Sequence, residues 1–359
     1  MNRKFLFDID WGLIAPIMIL VALSLTTLFS INFSLFRSQL LFFVIGFLAF
    51  LFFSKTNYNT VKLYSIPIYV ISIIAFLLVL GIGIESRGSL RWFEIFGFRF
   101  QFSEILKPFL AISLSSYLGS KDSYSLKTLF LILCLLSPIV FLIFLQPDLG
   151  NALIYFIAAI LTLVVFGFPM RFFISMLFLI LLSFPILFRF LHSYQKERIF
   201  TFLNPTDSLG LSYNVIQSII AVGSGMLFGR GLGMGTQSGL RFLPERHTDF
   251  IFATISEALG FVGSSIVVFA FIFLLYRIFL IFSNEKDLSS KLFSIIVFFL
   301  IFTQFFVNIG MNIGILPIVG ITLPFVSYGG SSLLSSFILI GLLSAISRKN
   351  ATRESLEIR

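Results

Sequence analysis

The sequence predicts an all-α polytopic membrane protein, a single transmembrane domain over residues 1–359 with about ten spans. Three observations predict it. Hydrophobic residues make up 58% of the chain and charged ones 11%, more apolar surface than a soluble core of this length can hide. The apolar residues run in stretches of about twenty without period-two alternation, which argues for helices and against a β-barrel. The cations between the stretches fall unevenly on alternate loops, the signature of an oriented bundle.

Taken in order, Arg3, Lys4, Asp8 and Asp10 precede an apolar run from Trp11 that no small-residue cleavage signature follows, so the first span is read as uncleaved. Spans are expected at 11–31, 38–53, 64–84, 103–118, 126–145, 151–168, 171–191, 249–280, 292–311 and 329–347. An even number puts both termini on one side. Arg3, Lys4, Lys55, Lys62, Lys121, Lys127, Arg171, Arg277, Lys286, Lys291 and the tail residues Arg348, Lys349, Arg353 and Arg359 fall in one set of loops; the short opposite loops hold Arg37, Arg87, Arg91, Arg99 and Lys107. The richer side is the cytoplasm. Three polar segments then lie outside: 85–101, 192–248 and 312–328. The middle one, a large extracytoplasmic loop between spans seven and eight, has apolar parts at 215–222 and 226–228, so it is expected to fold against the bundle.

Several function classes drop out. The net charge of +9 concerns orientation and anionic lipid, because no soluble domain carries a basic stripe for nucleic acid. Cys134 is the single cysteine, so no disulfide or cysteine metal site forms within one chain. His192 and His247 are far apart and no HExxH occurs; no nucleophile elbow is present. The glycine-rich run 223–235 lacks the Lys-Ser/Thr ending of a P-loop, which excludes a nucleotide; it either cradles an anion or turns the chain.

The densest polar cluster is residues 242–252, FLPERHTDFIF, where Glu245, Arg246, His247 and Asp249 precede an apolar run. Glu245 and Arg246 suit a polar collar at the headgroups. Asp249 is the best base: Thr248 is expected to cap the helix, and the N-terminal dipole to keep the carboxylate ionised. Glu104 and Lys107, three apart on a helix expected from Ser103, share a face and can pair, which favours a carboxylate and a cation lining a cavity. Trp92 is either an interfacial anchor or a platform for a sugar face. Asp148 in the turn QPDLG, Arg198 and Gln217 in the long loop, and Ser327 and Tyr328 in the last outer segment complete the candidates.

The strings FLPERHTDFIF at 242–252, QPDLG at 146–150 and PFVSYGGSS at 324–332 resemble the SEDS family of bacterial cell-wall proteins (shape, elongation, division, sporulation) over nearly the whole chain. Residues 235–247 and 314–320 resemble its elongation branch, RodA, more than its division branch, FtsW. The resemblance implies a peptidoglycan glycosyltransferase that polymerises lipid II outside the cytoplasmic membrane, paired with a class B penicillin-binding protein. It places the family's essential acid at Asp249, as general base on the acceptor hydroxyl in an inverting transfer. Lys107, Arg91, Arg198, Arg246 or a divalent cation (magnesium or manganese, with Asp249 as a ligand) would then stabilise the leaving pyrophosphate. Two departures stand out. Phe102 replaces the family's usual proline in QFSE, and Glu257-Ala258 stands where two glutamates are usual, so any role of that pair rests on Glu257. The alternatives are a lipid II flippase, which the scarcity of charge inside the spans disfavours, and a non-catalytic scaffold of the elongation machinery.

Overall fold

A computed structural model of the chain describes residues 10–357 except 87–88, 96–97, 122–124, 191–195, 197, 199 and 203–210. Its helices are α1 (Trp11–Ile31), α2 (Phe33–Lys55), the short α3 (Tyr58–Leu63), α4 (Ser65–Ile82), α5 (Phe102–Ile105), α6 (Lys107–Gly119), α7 (Leu126–Leu145), α8 (Leu149–Phe166), α9 (Met170–Phe190), α10 (Leu211–Ser224), α11 (Thr236–Gly239), α12 (Ile251–Asn284), α13 (Leu288–Asn312) and α14 (Gly330–Glu357). Eight of the described helices are long and apolar enough to cross a membrane, and Met170–Ile186 forms a shorter apolar helix. The polytopic helical fold is therefore present. The expected fourth span is broken: α5 ends at Ile105, Leu106 caps both pieces, and α6 restarts with Pro108 in its first turn. Proline has no N–H to continue a ladder, but its fixed φ suits a helix start.

One part of the chain departs from the all-α reading. The first outer segment is a three-stranded antiparallel sheet, β1 (Ile84–Ser86), β2 (Ser89–Ile95) and β3 (Phe98–Gln101), in that order, with Trp92 opposite Gln101 and Glu94 opposite Arg99. Aromatic and branched residues crowd this stretch, which suits a pleated surface better than a loop.

The core is built around α12, α13, α14, α1 and α2, with Phe271, Phe293 and Phe337 fully buried, while residues such as Ile174 and Leu182 of α9 stay exposed, as a lipid-facing surface requires. Within α12 the backbone is non-helical at Gly260, with φ 66° and ψ −158°. The break frees backbone groups, and the glycine-rich run takes them up. Phe261 N–H donates to Met226 O at 2.7 Å and Val262 N–H to Leu227 O at 3.1 Å; Arg230 N–H donates to Glu257 O at 2.9 Å and Gly231 N–H to Ala258 O at 3.0 Å. Spliced backbone of this kind is how a discontinuous helix stays satisfied near lipid. It also settles the glycine-rich run as the partner of a broken helix.

Candidate active site

Asp249 does not lie within α12. The turn 244–250 carries it, the N-cap position is Phe250 with no side-chain cap, and the helix starts at Ile251. Thr248 does not cap the helix as expected: its hydroxyl donates to Glu245 O at 3.2 Å and Glu245 Oε2 at 3.1 Å. The cap comes instead from α13. Asn312 Oδ1 accepts the Ala253 N–H at 3.0 Å, while its Nδ2 donates to the Asp249 carbonyl at 3.0 Å. Asn308, one turn earlier, donates to the same carbonyl at 3.1 Å and to Ile321 O at 2.7 Å. Two asparagines four apart thus anchor both the acid's backbone and the start of its helix.

The neighbouring turn closes from the other side. Ser327 Oγ donates to Thr248 O at 2.7 Å and accepts Leu323 N–H at 2.8 Å; Tyr328 N–H donates to His247 O at 2.8 Å, with the two rings 5.6 Å apart. Ser327 is buried, so its work is to hold the turn. Asp249 and Arg198 both approach the backbone of Gly320: a Cβ built there would lie 3.4 Å from Asp249 Oδ2 and 3.9 Å from Arg198 Nη1.

These elements enclose a polar cavity of about 510 Å³. Of the residues singled out in the sequence, Arg91, Trp92, Glu104, Glu245, His247, Asp249 and Tyr328 line it. Arg91 reaches it from β2, 5.8 Å from the Trp92 ring and 3.5 Å from Asp148 Oδ1. Asp148 is buried behind this wall, where it accepts Gln101 Nε2 at 2.6 Å, Ser103 Oγ at 2.9 Å and Asn151 Nδ2 at 3.0 Å, and caps α8. Glu104 and Lys107 form a buried ion pair at 2.7 Å across the break between α5 and α6; Glu104 faces the polar cavity, and its second oxygen Oε2 is buried without a hydrogen-bond partner among the described residues.

Three candidates lie elsewhere. Glu257 is fully buried and accepts the Gln237 and Ser238 N–H groups at 2.8 Å each, pinning the start of α11. Gln217 is half-buried on α10 and outside the cavity wall; its neighbour Ser218 donates to Asn312 O at 2.8 Å. Arg246 is also outside the wall, with Nη1 donating to Gly239 O at 3.4 Å; burial, then the nearby Arg241 charge, pulls its guanidinium below the ordinary value.

Sequence reasoning missed Arg99, which lines the cavity from β3, because a loop was expected there. It missed Asn308 and Asn312 too, although two amides at helical spacing in an apolar span are a readable signal. Among the described residues no three His, Cys, Asp or Glu side chains converge to hold a metal ion.

The family model described as cell cycle protein, covering FtsW, RodA and SpoVE, matches residues 4–352. The peptidoglycan glycosyltransferase MrdB of Escherichia coli K12 is 39% identical over 282 residues, 78% of this chain and 76% of that protein. Stage V sporulation protein E of Bacillus subtilis is 36% identical over 318 residues, 87% of this chain and 86% of that protein. A chain from a peptidoglycan synthase complex that coordinates polymerization and crosslinking superposes with a TM-score of 0.83 at 31% identity, covering 95% of this chain and 98% of that one. The rod shape determining protein RodA of Thermus thermophilus gives 0.72 at 27% identity, covering 95% and 97%. With a match that runs along nearly its whole length and a fold that agrees with it, the chain belongs to the FtsW, RodA and SpoVE family of cell cycle proteins.

Proposed function

We propose that the chain is a peptidoglycan glycosyltransferase of the elongation branch that polymerises lipid II. The observation that carries this reading is Asp249 on the wall of a polar cavity shared with Arg91, Arg99 and Glu104, in a chain similar over most of its length to a named peptidoglycan glycosyltransferase. In the reaction, the Asp249 carboxylate takes the proton of the acceptor sugar's 4-hydroxyl as that oxygen bonds to C1 of the donor sugar. The C1–oxygen bond to pyrophosphate breaks with inversion. Negative charge grows on the leaving pyrophosphate, beside Arg91 and Arg99 of the cavity wall and Arg198 near Gly320. A magnesium or manganese ion belongs to this reading only as one brought by the pyrophosphate oxygens.

The cavity faces out of the cytoplasmic membrane in this reading, with both termini inside, as the excess of basic residues on the opposite loops supports. In a Cys134→Ser background, an impermeant thiol reagent added outside should label Gln237→Cys and spare Asn57→Cys; the reverse pattern overturns the orientation. The partner is a class B penicillin-binding protein, supported by the similar chain's place in a complex that couples polymerization to crosslinking.

The reaction is tested with purified protein and lipid II. Asp249→Asn should slow glycan synthesis by about 10² to 10⁴. Folding should be kept, because Asn308 and Asn312 grip the residue by its carbonyl. Long glycan made at near wild-type rate by the variant would remove Asp249 from the chemistry.

A further inference from the structure

The Glu104–Lys107 pair has a second cavity on its far side. Glu104 belongs to the wall of the polar cavity, and Lys107 to the wall of a separate void of about 480 Å³ between α4, α6, α7, α8 and α13. That volume falls within the roughly 300–1,000 Å³ typical of ligand sites. Its shape is long: Lys107 and Ser120 both line it, and α6 rises about 20 Å between them. This is some two-thirds of the ~30 Å hydrocarbon thickness of a bilayer.

The wall is mostly apolar. Leu110, Leu136 and Ile139 supply its bulk, and four of the hydroxyls that line it donate to backbone carbonyls. Tyr69 donates to Leu135 O at 2.8 Å, Ser113 to Ser65 O at 2.9 Å, Ser120 to Tyr117 O at 2.8 Å and Tyr155 to Ser103 O at 2.9 Å. An ordered water needs two to four polar partners, and such a wall offers few. Ala158 and Ala159 keep the lumen wide, and Ile66, 75% exposed, forms part of the rim, so the void opens on the lipid-facing side of the bundle. The charged pair then has a defined place. Lys107 is 1% exposed and Glu104 4%, and together they stand as a partition between a polar cavity and an apolar one.

We propose that this void is a binding site for one long hydrocarbon chain of a membrane lipid, entering beside Ile66 and lying along α6 up to Lys107, with the Glu104–Lys107 pair as the partition that keeps it dry. The site does not depend on the reaction proposed above. Two lipids could supply the chain, a bilayer phospholipid through an acyl chain or a polyprenyl pyrophosphate, the headgroup of either staying at the rim beside Ile66.

The test uses the full chain in phospholipid vesicles and reads binding without turnover. One arm carries a phospholipid with a photoreactive diazirine near the end of its acyl chain, the other a polyprenyl pyrophosphate with the same group on its chain. After irradiation, mass spectrometry should place adducts on Leu110, Leu136 or Ile139, and the arm that labels names the source. Ala158→Phe with Ala159→Phe, which fills the lumen, should cut labelling several-fold. Should that variant fail to fold, Ala159→Cys in a Cys134→Ser background gives a second reading: an uncharged maleimide reacts, and a charged sulfonate reagent does not. Adducts confined to the outer faces of α2 and α9 in both arms, or equal reaction with the charged reagent, would overturn the proposal. Because no glycan is made in these measurements, a failure here is distinct from a failure of the glycosyltransferase reading.

Discussion

At the scale of single residues, the site depends on what holds Asp249 rather than on Asp249 alone. The acid sits one step before a helix whose own sequence has no cap, since Phe250 occupies that position and Thr248 turns back to Glu245. Asn312 replaces the missing local cap from another helix and holds the acid's carbonyl at the same time. Asn312→Leu keeps the volume and removes both bonds, leaving a buried N–H without its acceptor and weakening the hold on a carbonyl. Each buried polar group left unsatisfied costs about 1–3 kcal/mol, so a clear fall in thermal midpoint is expected, with a lower turnover of lipid II. An unchanged midpoint in a detergent melting assay would show that the cap is dispensable. The acid itself was legible, because charge at the mouth of an apolar run is rare and has to be used or paired. Its supports were not, since a cap supplied by a residue 59 positions away leaves no local pattern.

At the scale of elements, the apolar runs betrayed the helices but not their interruptions. Hydropathy sums over a window and is blind to a single residue with left-handed φ, so residues 249–280 read as one continuous span. The helix is in fact two pieces joined at Gly260, with the turn segment 226–231 spliced into the gap. The same blindness hid the β-meander, whose strands are three to seven residues long. Gly260→Ala should therefore be severe: its φ of 66° with ψ near −158° is a region open essentially to glycine, and an added Cβ would run into Gly229 N and Leu227 C. Strain of about 1–3 kcal/mol plus that clash should abolish the monodisperse peak in size-exclusion chromatography. Gly81→Ala, in the last turn of α4, is the control, because a Cβ there meets nothing within 4 Å. Equal behaviour of the two variants would mean that the splice does not hold the break.

At the scale of the whole molecule, two cavities are stacked on either side of one ion pair, and that pair is where stability and function can be pulled apart. Spans are local and were readable. The polar contacts that fix their arrangement join distant parts of the chain, such as Asp10 with Arg277 and Ser347, or Gln101 and Ser103 with Asp148, and composition does not announce them. Glu104 and Lys107 are the exception, because their partner is three residues away on the same face. Removing one member of a buried pair strands the other charge at a cost of about 3–5 kcal/mol, whereas replacing both with apolar residues of similar volume is often neutral or stabilising. Glu104→Leu and Lys107→Met should each lower the thermal midpoint, and the double variant should regain most of the loss. Polymerisation of lipid II should stay low in the double variant, since the polar cavity has lost the carboxylate whose Oε2 has no hydrogen-bond partner among the described residues. If the double variant regains both midpoint and glycan synthesis, the pair is a structural partition only and Glu104 takes no part in substrate binding. A double variant no more stable than either single change would mean that the stranded charge was not the source of the loss.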